Sequence, residues 1–136
     1  RETQKLEIYK RISNITSYED VTDMLDELND RYGAIPKETI NLLNIAYIKA
    51  LAHKSFITEI RGGKKNGKWT TAAYFYKDAS PEFIEGVKAF CEKAGGSFVF
   101  LDGEEKCLMW SYPIAKISNS GEYLELIANV LVKLGE

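Results

Sequence analysis

The stretch from Ser17 to Glu38 constrains the fold more tightly than any other part of the chain. Its apolar residues recur at the three- and four-residue spacing of an amphipathic helix, and they are Val21, Met24, Leu25, Leu28 and Tyr32. Ser17 is a suitable N-cap, and Asp20 three residues later completes a capping-box pattern. Gly33 stands where a helix ends in a left-handed residue, and Pro36 where the next helix begins. The stretch therefore predicts two helices that meet at a Gly-x-x-Pro corner.

The face of the first of these helices that lies opposite the apolar stripe is acidic. Six acids precede the first basic residue of this helix, Arg31, and they are Glu19, Asp20, Asp23, Asp26, Glu27 and Asp30. The pattern alone favours a solvated face that keeps the protein in solution. A docking surface for a basic partner is the alternative. Arg31 lies four residues after Glu27, where it is placed to neutralise that carboxylate within the helix.

Periodicity and turn signals over the whole chain predict the element order α-α-α-β-β-α-β-β-α. The predicted helices span residues 2–15, 18–32, 36–53, 81–94 and 121–134, and the predicted strands span 56–61, 69–76, 98–101 and 106–112. Asn66-Gly67 and Asp102-Gly103 are hairpin signals, and Gly62-Gly63 is expected to end the first strand. Two hairpins separated by a helix favour an antiparallel sheet with helices packed against it. The expected class is thus α+β.

The first and third helices differ in how their apolar residues are distributed. The first helix has a stripe that consists of Leu6, Ile8, Tyr9, Ile12 and Ile15. The third is apolar around much of its surface, with Leu42, Ile45 and Ile48 widening its main buried face. A helix of the second kind is usually central, with neighbours on more than one side.

Composition narrows the possible functions. The chain has 136 residues, of which 45% are hydrophobic and 28% charged, with a net charge of −2, as expected of one ordinary globular domain. This charge gives no global reason to bind nucleic acid or a membrane. The sequence has no signal peptide and no apolar run long enough to span a bilayer, so the expected location is cytoplasmic. Because the chain begins at Arg1, already within a helical pattern, we expect an excised piece of a larger protein.

The search for catalytic and metal-binding motifs favours a protein that is not an enzyme. Cys91 and Cys107 are isolated, and His53 is the sole histidine, so neither a zinc site nor a nucleophilic cysteine is indicated. The Gly- and Lys-rich run from Gly62 to Lys68 lacks Walker spacing and is better interpreted as a hairpin tip. No cofactor is expected. A small enzyme or ligand-binding domain with a pocket near the sheet is kept as a hypothesis to be tested by structure.

A nucleic-acid-binding accessory module is the alternative function. It would use the hairpin from Lys64 to Trp69, where Lys65 and Lys68 accompany an aromatic side chain. Aromatic and basic residues on one sheet face can stack bases and contact phosphates. No RRM or OB signature accompanies them, so the pattern favours a core face with edge residues.

Three motifs follow one another in the N-terminal half: Leu6-x-x-Tyr9-Lys10-Arg11-Ile12, then Glu27-Leu28-x-Asp30-Arg31-Tyr32-Gly33-x-x-Pro36, then Leu42-Leu43 and Ile45-Ala46. With these motifs the chain resembles the C-terminal domain of bacterial transcription-repair coupling factors, the Mfd family. The first two motifs are specific when they occur in this order and spacing. The resemblance covers about residues 6–57, and beyond them only the order of elements agrees.

The resemblance implies a regulatory function. The parent protein would be an ATP-dependent DNA translocase of the helicase superfamily that acts on stalled RNA polymerase and recruits the repair protein UvrA. The present domain carries none of its ATPase motifs. It would pack on the N-terminal UvrB-like domain of the same polypeptide and mask the UvrA-binding surface, which is autoinhibition in transcription-coupled nucleotide excision repair. UvrA, RNA polymerase and DNA would be reached only through the parent protein.

The same resemblance implies specific roles for residues of the second motif. Glu27 and Asp30 would form the interdomain contact, with Asp23 and Arg31 as auxiliary residues. The remaining motif residues would build the corner between the helices, and they are Leu28, Tyr32, Gly33 and Pro36. Because Arg31 is placed to occupy Glu27, we expect Asp30 to be the main outward contact.

Overall fold

The computed structural model describes residues 2–136, apart from the side chain of Glu2. The elements are α1 (Glu2–Ser13), α2 (Tyr18–Tyr32), α3 (Lys37–Lys54), β1 (Ile57–Lys65), β2 (Lys68–Phe75), α4 (Pro81–Ala94), β3 (Phe98–Asp102), β4 (Lys106–Pro113), a 3-10 turn (Ile114–Lys116) and α5 (Ser120–Leu134). The predicted order and the α+β class are confirmed. None of the helices in this part of the chain combines the length and hydrophobicity that a membrane crossing requires.

The four strands form one antiparallel sheet in the order β1-β2-β4-β3. The two hairpins join through their second strands, so β2 and β4 are central and β1 and β3 are the edges. Alternate residues of the central strands face the helices, and the buried ones are Trp69, Thr71, Ala73, Phe75, Leu108 and Trp110. This alternation places the main hydrophobic core between one face of the sheet and α3, α4 and α5.

A second, smaller core lies among the three N-terminal helices. It consists of Ile12, Ile15, Val21, Met24, Leu28 and Leu43. Helix α3 contributes to both cores, since Leu43 belongs to the small one and Ile48 and Ala52 to the large one. The prediction that this helix is central is therefore confirmed.

Local side-chain chemistry fixes the ends of α2 as the sequence predicts. The hydroxyl of Ser17 accepts a hydrogen bond from the Asp20 amide at 3.1 Å, and the Asp20 carboxylate accepts one from the Ser17 amide at 3.3 Å. Gly33 ends the helix at φ +79°, where its amide donates to the Asn29 carbonyl oxygen at 2.9 Å. Pro36 directly precedes α3. The predicted corner is thus present.

The predicted apolar stripes are only partly buried, which corrects the sequence analysis. Leu6 is exposed, as are Tyr9 and Tyr32 at 55% and 54% of their surface, and Leu42 and Ile45 also face outward. Three short helices can bury only the side chains that point toward their common axis. At 100° per residue, Leu6 lies about 120° around α1 from Ile12 and misses that axis. The stripes are amphipathic, but nothing in the described residues covers their outer part.

The first strand continues through the glycines that were expected to end it. Gly62 pairs with Thr71, and the ladder runs on until Lys65 faces Lys68. A Cβ atom on Gly62 would collide with the hydroxyl of Tyr123. This glycine therefore allows α5 to approach the sheet rather than stopping a strand. The first turn is at Asn66-Gly67 as predicted, whereas the second hairpin uses the longer connection 103–105.

Candidate docking surface

Within the part of the chain that the structure describes, two of the six acids of α2 have partners and four do not. Asp20 is used in the cap, where hydrogen bonds from Thr16 hold the pKa of its carboxyl below the usual value. Glu27 is bound by Arg11. Among residues 2–136, the other four form no ion pair, and we call them the acidic stripe: Glu19, Asp23, Asp26 and Asp30.

Glu27 joins α2 to α1. The Nη2 atom of Arg11 donates to Oε1 of Glu27 at 2.9 Å, and its Nη1 atom donates to Oε2. Arg31, the partner suggested by the helix spacing, lies farther away, with Nη1 at 3.9 Å from the same Oε2. The hydrogen bond from Arg11 is the main reason why the pKa of Glu27 lies below its usual value. Sequence reasoning missed this pair because its members are 16 positions apart.

The acidic stripe runs along the outward side of α2. All four of its members are exposed, and Asp23 and Asp30 lie seven residues apart, or about 10 Å along the axis. Neighbouring like charges on a helix are mildly unfavourable, by about 0.2–0.5 kcal/mol a pair. Cations of a partner protein would remove that repulsion. The predicted contacts Asp30 and Asp23 thus lie together on an exposed surface, whereas Glu27 is bound by Arg11.

An apolar groove lies at the other side of the same helix. It has a volume of about 300 Å³ and is lined by α1, the end of α2, the corner and the start of α3. Its apolar lining includes Ile8, Tyr9, Ile12, Leu28, Tyr32, Ile35 and Leu42. Exposed apolar surface of this kind is common at protein–protein interfaces. Of the predicted corner residues, Leu28 is buried below this groove and Tyr32 forms part of its wall.

The described residues contain no catalytic constellation. No group of three or more His, Cys, Asp or Glu side chains in residues 2–136 is placed to hold a metal ion. Burial raises the pKa of the Cys91 and Cys107 thiols. Burial thus disfavours the thiolate form of both cysteines.

The aromatic residue of the predicted nucleic-acid hairpin lies in the core. Trp69 is only 8% exposed, and its ring stacks on that of Tyr123 with the centroids 4.3 Å apart. Lys64 covers the same ring, with its Nζ atom 5.1 Å from the centroid. Trp69 therefore has no free face for a base. The hypothesis that this side chain stacks on nucleic acid is wrong, and only the exposed lysines of the hairpin remain.

The fold is that of a small α+β domain, and its described residues carry an exposed acidic stripe and an apolar groove. The TRCF domain family matches residues 1–80, more than half of the chain, and the chain belongs to this family. The resemblance found in the sequence motifs is thereby confirmed. All residues predicted to form the interdomain contact lie within the matched part.

The curated relatives are transcription-repair-coupling factors that are much longer than this chain. The factor of Bacillus subtilis is 32% identical over 87 residues, which is 64% of this chain and 7% of that protein. The factor of Rickettsia bellii is 40% identical over 75 residues, or 55% of this chain and 6% of that protein. The chain thus spans less than a tenth of the length of these relatives.

A solved structure shares the fold over nearly the whole chain. The crystal structure of the C-terminal domain of a transcription-repair coupling factor superposes with a TM-score of 0.65 at 20% identity. The match covers 98% of this chain and 81% of that one. The common fold therefore extends beyond residue 80, where the sequence family no longer matches.

Proposed function

We propose that this chain is the non-catalytic C-terminal regulatory domain of a transcription-repair coupling factor in the bacterial cytoplasm. It packs on the N-terminal UvrB-like domain of the same polypeptide and masks the surface that binds UvrA. UvrA, RNA polymerase and DNA are then reached only through the parent protein, in transcription-coupled nucleotide excision repair. Two observations carry this proposal: an acidic stripe that forms no ion pair within residues 2–136, and an apolar groove on the other side of α2. Both lie within the part of the chain that matches the family.

Asp30 leads the electrostatic contact in this proposal, and Asp23 assists it. Both carboxylates are exposed and form no ion pair within residues 2–136, so they can accept hydrogen bonds from basic residues of the partner. Pairs at an exposed interface contribute only about 0–1 kcal/mol each. A few of them give a contact that is easily opened, and regulation needs a coupling free energy of only about 1–3 kcal/mol.

Glu27 and Arg31 have a different role from Asp30. To reach a partner, Glu27 must share its carboxylate with Arg11 or release it, so its contribution depends on α1. Arg31 is exposed beside Glu27 and can compensate part of that loss. We therefore infer that Glu27 is a secondary contact that also positions α1 against α2. The apolar groove supplies the burial of nonpolar surface that the charges alone do not.

Charge reversal in the full-length parent protein tests the proposal. We expect Asp30→Lys to raise capture by immobilised UvrA about two- to fivefold, because one attraction is lost and a repulsion replaces it. Asp78→Lys, which changes the charge equally on an exposed loop away from α2, is the matched control. Equal UvrA capture by the wild type and the Asp30 variant would show that the acidic stripe is merely solvated. The melting temperature of the isolated domain should stay the same in both variants.

A further inference from the structure

Strand β1 is an open edge of the sheet on the opposite side of α3 from the small helical core. It is nine residues long and pairs with β2 alone within the described chain. Its register is irregular between Ile57 and Glu59 and is regular from there to Lys65. Backbone N–H and C=O groups along the outer side of a regular edge strand are available to another strand.

A cleft of about 580 Å³ accompanies this edge, between β1 on one side and α3 and α5 on the other. Its apolar lining consists of Ile45, Ile48, Ala52, Ile57, Ile60, Leu124 and Ile127, with Tyr76 and Tyr123. Ile45 and Tyr76 are 38% and 46% exposed. Ile60 points to the core side of β1 and remains partly exposed there. The helices thus stop short of covering the sheet at its first strand.

The net positive charge at this site lies on the edge strand rather than in the cleft. Lys49 and His53 line the cleft from α3. The acid on the strand side, Glu59, is bound by Arg61, whose Nε atom lies 2.7 Å from Oε2. Over its length β1 carries three cations against one anion, a formal excess of two positive charges. Acidic residues of an incoming chain would be attracted to this edge.

We propose that β1 accepts an extended acidic segment of a partner protein as a fifth strand of the sheet. The backbone of the segment pairs with residues 59–62, and every second side chain enters the cleft beside Ile60. Those side chains are apolar and preferably β-branched. The alternating ones are carboxylates on the opposite face of the sheet, where Arg61 and Lys65 of β1 lie. This surface is built from different elements than the acidic stripe, so the proposal stands independently of the autoinhibitory function.

An acidic partner fits this edge better than a second copy of the same chain. Two β1 strands placed edge to edge would bring their excess positive charges together, which is unfavourable. Addition of an acidic strand instead neutralises them. Sedimentation measures whether the chain dimerises as its concentration rises, and amide shifts at residues 59–62 show whether it does so through β1. Dimerisation through β1 would overturn the choice of an acidic partner.

The probe is the heptapeptide acetyl-Asp-Val-Glu-Val-Asp-Val-Glu-amide, titrated into the ¹⁵N-labelled domain at low salt. We expect a dissociation constant on the order of 1 mM or tighter and the largest amide shifts at residues 59–62. Two further peptides carry N-methyl groups on alternate residues, one on the even set and one on the odd set. Because only one set of N–H groups faces the neighbouring strand, one methylated peptide should bind and the other should not. Equal binding of both would overturn strand addition without any change to the protein.

Protein variants locate the binding edge. Lys65→Glu should weaken binding about fivefold, whereas Lys93→Glu on exposed α4 makes the same charge change and should not. Ile45→Glu should abolish amide shifts at residues 59–62, and Val99→Glu on the other edge strand is its matched control. Each variant is first required to keep the dispersed amide spectrum of the wild type. Shifts confined to residues 98–102, or none at about 1 mM peptide, would contradict the proposal.

Discussion

Arg11 and Glu27 connect α1 to α2 through two parallel side-chain hydrogen bonds between residues 16 positions apart. The pair occupies one of the two carboxylates that the resemblance implies for the interdomain contact. Among residues 2–136 the other carboxylate, that of Asp30, forms no ion pair. The pair thus links the packing of α1 on α2 to the number of carboxylates that remain unpaired on the proposed docking surface.

The first prediction concerns acid stability. The folded-state pKa of Glu27 is lowered, so its bond to Arg11 contributes stability above the ordinary glutamate pKa of about 4.3. That contribution is lost as the pH falls through the lowered value. We expect the melting temperature, followed by circular dichroism from pH 7 to 2, to fall below about pH 4.3, and Arg11→Ala to make this fall shallower.

Lys10→Ala is the control for this prediction, since Lys10 is an exposed neighbour with no ion pair in residues 2–136. It should keep the full acid dependence. Part of the dependence should also persist in the Arg11 variant, because the pKa of Asp20 is lowered by its own hydrogen bonds from Thr16. If the melting temperature of the Arg11 variant depends on pH in the same way as that of the wild type, the Arg11–Glu27 pair does not contribute to stability in solution.

The second prediction concerns the approach of Tyr123 to Gly62. The Tyr123 hydroxyl donates to the Thr70 carbonyl oxygen at 3.0 Å and is hydrogen-bonded to the fully buried Thr71 hydroxyl. Tyr123→Phe should reduce the free energy of unfolding by about 1–3 kcal/mol, since buried polar groups lose their partner. Gly62→Ala should cost about 1–3 kcal/mol through overpacking.

The double variant tests this relationship further. The double variant combines Tyr123→Phe with Gly62→Ala. Removal of the Tyr123 hydroxyl leaves room for the methyl group that the Gly62 substitution introduces, so the double variant should lose less unfolding free energy than the two single variants lose together. Gly86→Ala is the matched control, because Gly86 lies in α4 with open space around it. It should stabilise the domain by about 0.5–1 kcal/mol through helix propensity. Urea denaturation measures all four variants, and strict additivity would contradict the proposed contact.

The third prediction concerns the apolar groove. Tyr9→Ser and Tyr32→Ser should change the free energy of unfolding of the isolated domain by no more than about 0.5 kcal/mol, because both side chains are largely exposed. In the full-length parent protein the same substitutions should raise UvrA capture, since docking loses apolar contact. Tyr76→Ser, on the cleft beside β1, should leave UvrA capture unchanged. If the Tyr9 and Tyr32 variants lose stability but do not capture more UvrA, the groove contributes to folding and not to docking.

The fourth prediction concerns the hairpin. Trp69→Ala should destabilise the domain by about 3–5 kcal/mol, because a buried ring that stacks on Tyr123 is removed. Single-stranded DNA should not quench the fluorescence of Trp69 in the folded wild type. Quenching that titrates with DNA and disappears at high salt would restore the nucleic-acid hypothesis.

Much of the architecture could be predicted from the sequence because its determinants are local. Three such determinants act over only three or four residues: the cap at Ser17, the glycine at the end of α2 and the proline before α3. They can therefore be recognised from the neighbouring sequence alone. The turn at Asn66-Gly67 is local in the same sense. The ends of strands were less predictable where a residue contacts a segment that is distant in sequence. Gly62 is an example, because it allows the approach of Tyr123 and does not end its strand.

The chain sequence by itself determined the order of elements, the amphipathic helices and the motif that belongs to the TRCF domain family. Only the tertiary structure decided which side chains form ion pairs, which are buried and which are exposed. It paired Arg11 with Glu27, left Asp30 unpaired in the described chain, buried Trp69 and exposed Tyr9 and Tyr32. The physical reason is that periodicity sets the side of a helix on which a residue lies, whereas packing between distant segments decides what covers that side.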